Sequence, residues 1–508
     1  MLLTIFEQDQ TLSSTVEPVA MTDRKGVQTS VGAMIRAGSI AAVLGIASCA
    51  INPVTGKREL SLISESQEIA MGQQAAQEVR QSMGLVPDSA LQAYVRSVAL
   101  PMAKASERPN LPWSFDVVDD PAVNAFALPG GSIFVTRGIL AYMQNEAELA
   151  TVLGHEIGHV TAKHSVRQLS KAQLAQLGLG IGSIVSDEFA ALSGIVGQGF
   201  GLLMLKNGRD AETQADDLGF RYSLADGYDV RAMRSMFEML QRISGGTGGG
   251  EGKLPNWLAT HPDPENRIAK TDQRLTTVTA DLSKAKLNRD PFVRRTDGLV
   301  YGENPRQGYF EGARFNHPDM AFRIDFPAGW KSQNQPSAVV GVSPNQDAMF
   351  ALSIPGKDAP DVALGKFLGQ EGIQAGARSN SSINGLPAAG ADFQAQTQDG
   401  KVIGGRITFL SYGGSTFQLI GYTLEQNYPA VRGLFLQSTQ SFNRLTDPGV
   451  LNRQPVRVRL VKLTRDMTVD DFNRQYPSAV PIATVAIVNG VGASSAVLKS
   501  GSWAKRIQ

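Results

Sequence analysis

The stretch ATVLGHEIGHVTAKH, Ala150–His164, constrains this chain more than any other. It holds three of the five histidines within ten residues, with Glu156 beside the first. Each residue of a helix advances about 100°, so His155 and His159 lie on one face, one turn apart. Two imidazoles at that separation can chelate one tetrahedral ion, and Glu156 between them can reach the attacking water. On a continuous helix His164 falls about 180° from His155 and about 140° from His159. It is therefore expected to face away, exposed or capping the helix.

Two ligands do not make a catalytic metal site; a third is needed. The metzincin continuation would require Gly at position 162 and His at position 165, where this chain has Ala162 and Ser165. The third ligand must come from elsewhere, and DAETQADDLG supplies candidates. Glu212 and Asp216 are four apart and share a helical face. Glu212 is assigned to the metal and Asp216 to the free N–H of a ligand histidine, a contact that fixes the ring and raises its basicity. His261, on a Pro-flanked loop, can swing in as a fourth ligand that holds the site latent. Alternatively it, or Arg267, stabilises an oxyanion; loop hydrogen bonding and a surface ion pair are the plainer roles.

At 508 residues the chain exceeds one core; roughly 150 residues per domain suggests about three. With 42% hydrophobic and 19% charged residues it reads as globular. A net charge of +1, with no basic run, gives no reason to expect nucleic acid. The expected divisions are 1–48, a signal peptide or extension; 49–287, the unit carrying the histidines; 288–307, a linker; 308–445, an α+β unit without a catalytic constellation, where His317 is structural; and 454–508, a tail.

Within the first unit, Ser64 and Gln67 have capping-box spacing, so a helix starts there. A second helix is expected over about Asp88–Lys104. Short strands follow, with a Pro129-Gly130-Gly131 turn, and then helix from Leu140 through Gln168. The Leu-, Ile-, Gly- and Ala-rich segment 172–205, interrupted by Asp187 and Glu188, reads as hairpin helices or a membrane-facing flap. A helix after Asn207-Gly208, another over Val230–Ile243 and a mobile loop, SGGTGGGEGK, complete the pattern.

The single cysteine, Cys49, follows MIRAGSIAAVLGIAS, a basic flank and an apolar run too short to span a bilayer comfortably. IASC resembles the bacterial lipobox, which implies that Cys49 is lipidated and anchors the protein. The acidic first twenty residues make a poor signal start, which leaves Met21 or Met34 as the alternative beginning.

NAFALPGGSIFVTRGIL, ELATVLGHEIGHVTAKH, GRDAETQADDLG and THPDPENRI, in that order, resemble the successive motifs of the M-48 zinc metallopeptidases, in their periplasmic bacterial branch. The likeness covers roughly Leu62 to Thr276; Gly208-Arg209 stands where that family usually has Ser-Arg. It implies an α+β multidomain protein: a mainly helical, gluzincin-like zincin domain with a small edge sheet, then a small α+β domain and a βααβ tail. It implies one Zn2+ on His155, His159 and Glu212, Glu156 as catalytic base and Asp216 in support. Polypeptide substrates would lie along an edge strand at Asn124, Ala125, Phe126, Ala127 and Leu128. The expected function is endopeptidase quality control of unfolded or misassembled envelope proteins in the bacterial periplasm, from a lipid anchor in the outer membrane.

The tail reads strand, helix, helix, strand, with an Asn489-Gly490 turn and Leu498-Lys499-Ser500-Gly501, and so resembles a LysM-like module, whose βααβ fold binds N-acetylglucosamine polymers such as peptidoglycan. Its usual Gly-Asp-Thr-Leu start is replaced by Arg465-Asp466-Met467-Thr468-Val469, so a purely structural βααβ cap stands beside the glycan reading. The competing function is a chaperone-like or peptidoglycan-binding envelope protein with a latent metal site.

Overall fold

The computed structural model describes residues 49–176, 207–245, 257, 260–261, 264–335, 337–397 and 400–508. The expected leader over 1–48, most of the apolar segment 172–205 and the glycine-rich loop after Gly245 lie outside the described residues.

A hairpin of β1 (Cys49–Ile51) and β2 (Arg58–Leu60) leads into α1 (Glu65–Met83). That helix begins with the capping box: Gln67 N–H donates to Ser64 Oγ, and Ser64 N–H donates to the Gln67 side chain. α2 (Ser89–Lys104) starts on Asp88, whose carboxylate accepts from Ala90 and Leu91 N–H. β3 (Ser114–Val118), β4 (Ala125–Leu128) and β5 (Ser132–Thr136) form a sheet in the order β3-β5-β4, parallel then antiparallel. β4 is an edge strand, with no strand on its other side among the described residues.

The helix expected to run unbroken through residue 168 is in fact three: α3 (Arg137–Tyr142), α4 (Glu146–Thr161) and α5 (His164–Gln176). Asn145 causes the first break. Its side chain accepts from Glu148 N–H while the Glu148 carboxylate accepts from Gln144 N–H, a reciprocal cap at the start of α4. The second break falls at Lys163, whose φ of 56° turns the chain back on itself.

Every residue of α4 is buried. It is an interior helix with no solvent face. α6 (Arg209–Ala225) packs on it almost backbone to backbone. A Cβ added at Gly219 would lie 2.6 Å from His155 N, and one at Gly154 would lie 3.0 Å from Gly219 O. Such contact lets the short carboxylate side chains of α6 reach the histidine face of α4. Behind the C-terminal end of α4, buried Arg108 donates to Glu68 of α1 (2.6 Å) and to Val160 O (3.0 Å). α7 (Ala232–Ser244) and α8 (Pro264–Thr276) complete this layer.

The core around α4 also takes in Phe292, Val293 and Leu299 from the segment read as a linker, where Arg289–Arg295 forms α9. Val458, Ile487, Val488 and Ile507 of the tail join the same core. The chain from 309 to 444 builds two antiparallel sheets. One has seven strands, from Lys331–Gln335 at one edge to Ile373–Ile383 at the other; the second has four. Pro360–Leu368 (α10), which ends at a Gly369 cap, and Tyr428–Ser441 (α11) pack there. The tail has a βααβ skeleton: Val458–Lys462, α12 (Val469–Gln475), α13 (Ile482–Val488) and Trp503–Ile507, the two strands antiparallel. No helix among the described residues is long and apolar enough to cross a membrane.

Gly219→Ala puts a methyl into the 2.6 Å contact with His155 N, so the two helices must part. Overpacking of this kind costs roughly 1–3 kcal/mol. The expected result is a lower denaturant midpoint together with weaker metal binding; an unchanged midpoint would show that the helices do not depend on this contact.

Candidate metal centre

His155 and His159 stand one turn apart on α4, and Glu212 and Asp216 one turn apart on α6. The close helix contact brings the two pairs together in a buried pocket. Glu212 Oε2 lies 3.5 Å from His155 Nε2, and Glu212 Oε1 lies 3.5 Å from His159 Nε2. The two Nε2 atoms are 2.9 Å apart. His261 enters the same cluster, its Nδ1 3.0 Å from both Glu212 oxygens and 3.3 Å from His155 Nε2. One ligand atom from each of His155, His159, Glu212 and His261 falls within 4.8 Å of all the others.

What each imidazole does with its second nitrogen decides whether this pocket suits a cation. His155 Nδ1 is 2.9 Å from Asp216 Oδ1, an acceptor, so it carries the proton. His159 Nδ1 is 2.8 Å from His164 Nδ1, and His164 Nε2 is 2.9 Å from Gln214 Oε1. Gln214 accepts from His164 Nε2–H, which leaves His164 Nδ1 as the acceptor for His159 Nδ1–H. Burial lowers the pKa of His164 to about 4, and burial next to His155 and His164 holds His159 well below the ordinary histidine value, so both rings are neutral. Both Nε2 lone pairs then point into the same space beside a carboxylate. Neutral imidazole nitrogens and a carboxylate oxygen are the donor set of a catalytic zinc site.

Charge leads to the same conclusion. Burial alone would raise Glu212, but His261, His155 and Arg267 outweigh it and hold its pKa at about 2. Burial likewise opposes ionisation of Asp216, and Arg267 with His155 pulls it well below the usual carboxylate range. The buried carboxylates of Glu156, Glu212 and Asp216 outnumber the guanidinium of Arg267 and the imidazole of His261, where burial lowers the pKa but Glu212 and Glu156 outweigh it and raise it. The sign of that excess suits a bound cation. Glu156 Oε1 is buried without a hydrogen-bond partner among the described residues; its nearest basic atom is His261 Nε2, 3.7 Å away.

Arg267 sits behind the ligands. It donates from Nε and Nη2 to Asp216 (2.9 and 2.5 Å), and its guanidinium lies 4.3 Å from the Phe237 ring centroid and 4.5 Å from that of Trp257. It thus holds the carboxylate that holds His155. Residues 125–128 of the expected substrate strand form edge strand β4, and Asn124 precedes it with a buried Oδ1 that has no partner among the described residues. Cys49 begins β1, its backbone opposite Leu60. His317 is far from this cluster in sequence and stacks on Phe322.

His164 corrects the sequence reading. It is 1% exposed and directed at His159, because α4 ends at Thr161 and the left-handed Lys163 reverses the chain. Gln214 and Trp257 were not anticipated either. The available signal was a third histidine close behind the motif, which the assumption of a continuous helix discarded.

Residues 89–275 match the model of Peptidase family M48. The beta-barrel assembly-enhancing protease of Yersinia pestis is 30% identical over 233 residues, 44% of this chain and 46% of that protein. The protein of the same name from Escherichia coli K12 is 30% identical over 236 residues, with the same coverage. The mitochondrial metalloendopeptidase OMA1 of Schizosaccharomyces pombe is 31% identical over 226 residues, 44% of this chain and 65% of that protein. The chain thus spans about half the length of the bacterial relatives it matches.

His164→Phe removes the acceptor for His159 Nδ1–H. Loss of such a partner typically weakens metal binding roughly 10- to 100-fold. Competition with a chromophoric chelator should show that loss for His164→Phe and a smaller one for His164→Gln, which keeps an acceptor. Equal affinity in all three proteins would remove His164 from the site.

Proposed function

We propose, on the match of residues 89–275 to the model of Peptidase family M48, that this chain is a zinc-dependent endopeptidase acting on unfolded or misassembled envelope proteins in the bacterial periplasm. The observation that carries the reading is the buried meeting of the Nε2 atoms of His155 and His159 with Glu212, and beside them Glu156 Oε1, which has no hydrogen-bond partner among the described residues. His155, His159 and Glu212 would hold the zinc ion. That ion would act as a Lewis acid, activating the attacking water and polarising the scissile carbonyl. Glu156 takes the proton from that water and delivers it to the leaving amine, the work of a general base and then a general acid. Asp216 and His164 keep the histidine rings in the tautomers that free Nε2.

The substrate main chain would add to the open edge of β4 by backbone hydrogen bonds, which reads little side-chain sequence. That tolerance suits a protease of damaged proteins. The bacterial relatives are named for enhancing β-barrel assembly, which supports an envelope setting for the substrates. Cys49 is proposed as the lipid anchor to the outer membrane: Cys49→Ser should move the protein from the membrane to the soluble fraction, and unchanged fractionation refutes it.

His261 is proposed as a latch. Its Nδ1 lies 3.0 Å from both Glu212 oxygens, on the ligand side of the pocket, which favours a fourth-ligand role over one at an oxyanion. Released, it opens the pocket to substrate.

Glu156→Gln should keep stoichiometric zinc while casein cleavage falls at least about 100-fold, the usual contribution of a general base. A chelator should abolish wild-type cleavage, and His261→Ala should raise it. If zinc-loaded wild type and His261→Ala both leave casein and reduced, unfolded substrates intact, the protease reading fails. A His261→Ala that is slower than wild type refutes the latch alone.

A further inference from the structure

The short link between α3 and α4, Met143 to Asn145, is where the chain turns into the HExxH helix. A six-residue helix such as α3 leaves most of its terminal carbonyls without partners of its own. Here the C-terminal tail supplies partners for two carbonyls at this end, one in α3 and one in the link. Lys505 is 1% exposed, and its ammonium donates to Ala141 O (2.9 Å) and Met143 O (2.5 Å). The Gln144 side chain donates to Tyr142 O and, at 2.9 Å, to Val488 O of the tail helix α13. Arg242 of α7 donates to Gly490 O, at 3.2 Å.

Lys505 is itself fixed from within the tail. Its backbone N–H donates to Asn489 Oδ1 and its carbonyl accepts from Asn489 Nδ2, both at 2.8 Å. Burying an amine this deeply is costly unless its donors are used. Burial lowers this one to about 7, against the opposing pull of Glu148 and with Arg289 adding to the lowering. Glu148 is the carboxylate that accepts from Gln144 N–H at the start of α4. One amine of the tail therefore closes the end of α3 and lies beside the cap of α4.

We infer that Lys505 is a positioning residue for the HExxH helix, so that the C-terminal module is a brace on the catalytic unit and not a separate binding appendage. The inference rests on α4 carrying the working ligands, but the bracing itself can be measured without catalysis. The contact orders the α3–α4 link, which fixes where α4 begins and hence where His155 and His159 meet Glu212.

The experiment uses the full chain and three variants: Lys505→Met, Gly490→Ala and, as control, Lys499→Ala, an exposed tail lysine paired with Asp466. Hydrogen exchange should speed up at the amides of Gln144–Glu148 in Lys505→Met. Zinc affinity, by chelator competition, should fall about tenfold, and kcat on casein should fall while KM stays, as expected when a small displacement disturbs positioning. Lys499→Ala should match wild type in every readout. Should Lys505→Met fail to fold, Gly490→Ala takes its place: its added Cβ would meet Gln144 Cγ at 2.7 Å, pushing away the bond to Val488. Unchanged exchange over Gln144–Glu148 and unchanged zinc affinity in the folded variant overturn the inference, as does an equal loss in Lys499→Ala. If no protein cleaves casein, the exchange and zinc measurements still decide it, so its failure and that of the protease reading are distinguishable.

Discussion

The backbone contact between α4 and α6 sets the distances on which the rest of the molecule depends. Helices in ordinary packing lie about 8–10 Å apart, their side chains interleaved. Here Gly154 and Gly158 on one helix and Gly219 on the other remove the side chains that would hold them off. Glutamate and aspartate side chains are short, and only across so narrow a gap can Glu212 and Asp216 both reach α4. One lands among the Nε2 atoms and the other on His155 Nδ1. Sequence spacing gives each helix its pair of residues, but the glycines bring the pairs into register.

That contact creates an electrostatic problem, since three carboxylates enter an interior screened from solvent. Arg267 meets Asp216 with two bonds and approaches Glu212 at 3.4 Å, so one guanidinium answers two of the three. Phe237 and Trp257 flank its planar face, which keeps it in place without adding a further charge. The third carboxylate, Glu156, has its Oε1 buried 3.7 Å from His261 Nε2. Such an arrangement is costly when the pocket is bare and favourable around a cation, so ligand geometry and charge compensation are one design.

Features carried by local chemistry were legible in the sequence. The Ser64–Gln67 cap, the helix beginning near Asp88, the turn at Pro129-Gly130-Gly131 and the four-residue spacings in HExxH and ExxxD each depend on residues close in the chain. What escaped depends on partners far away or on a single backbone angle. Nothing in AKH announces that Lys163 adopts φ 56°, yet that angle converts His164 from an outward residue into the partner of His159. The break before Glu146 was within reach, since Asn145 and Glu148 have cap spacing, but the hydrophobic period ran through it and dominated the reading. Phe292 and Val293 looked like part of a linker because their contacts lie on helices elsewhere in the chain.

The tail makes the same point at the scale of a whole module. Its likeness to a glycan-binding unit rests on a βααβ order and on the turn at Asn489-Gly490, both of which the fold contains. Those turn residues are engaged within the molecule. Asn489 clasps the backbone of Lys505, Gly490 accepts from Arg242 with its α-carbon face against Gln144, and Lys505 is spent on α3. Ile487, Val488 and Ile507 are built into the core around α4. A surface so committed is not free for a sugar polymer without undocking, and undocking would expose apolar side chains and strand a buried amine. The geometry of this module is thus explained by the helix it supports, and any glycan contact would have to use the face turned away from it.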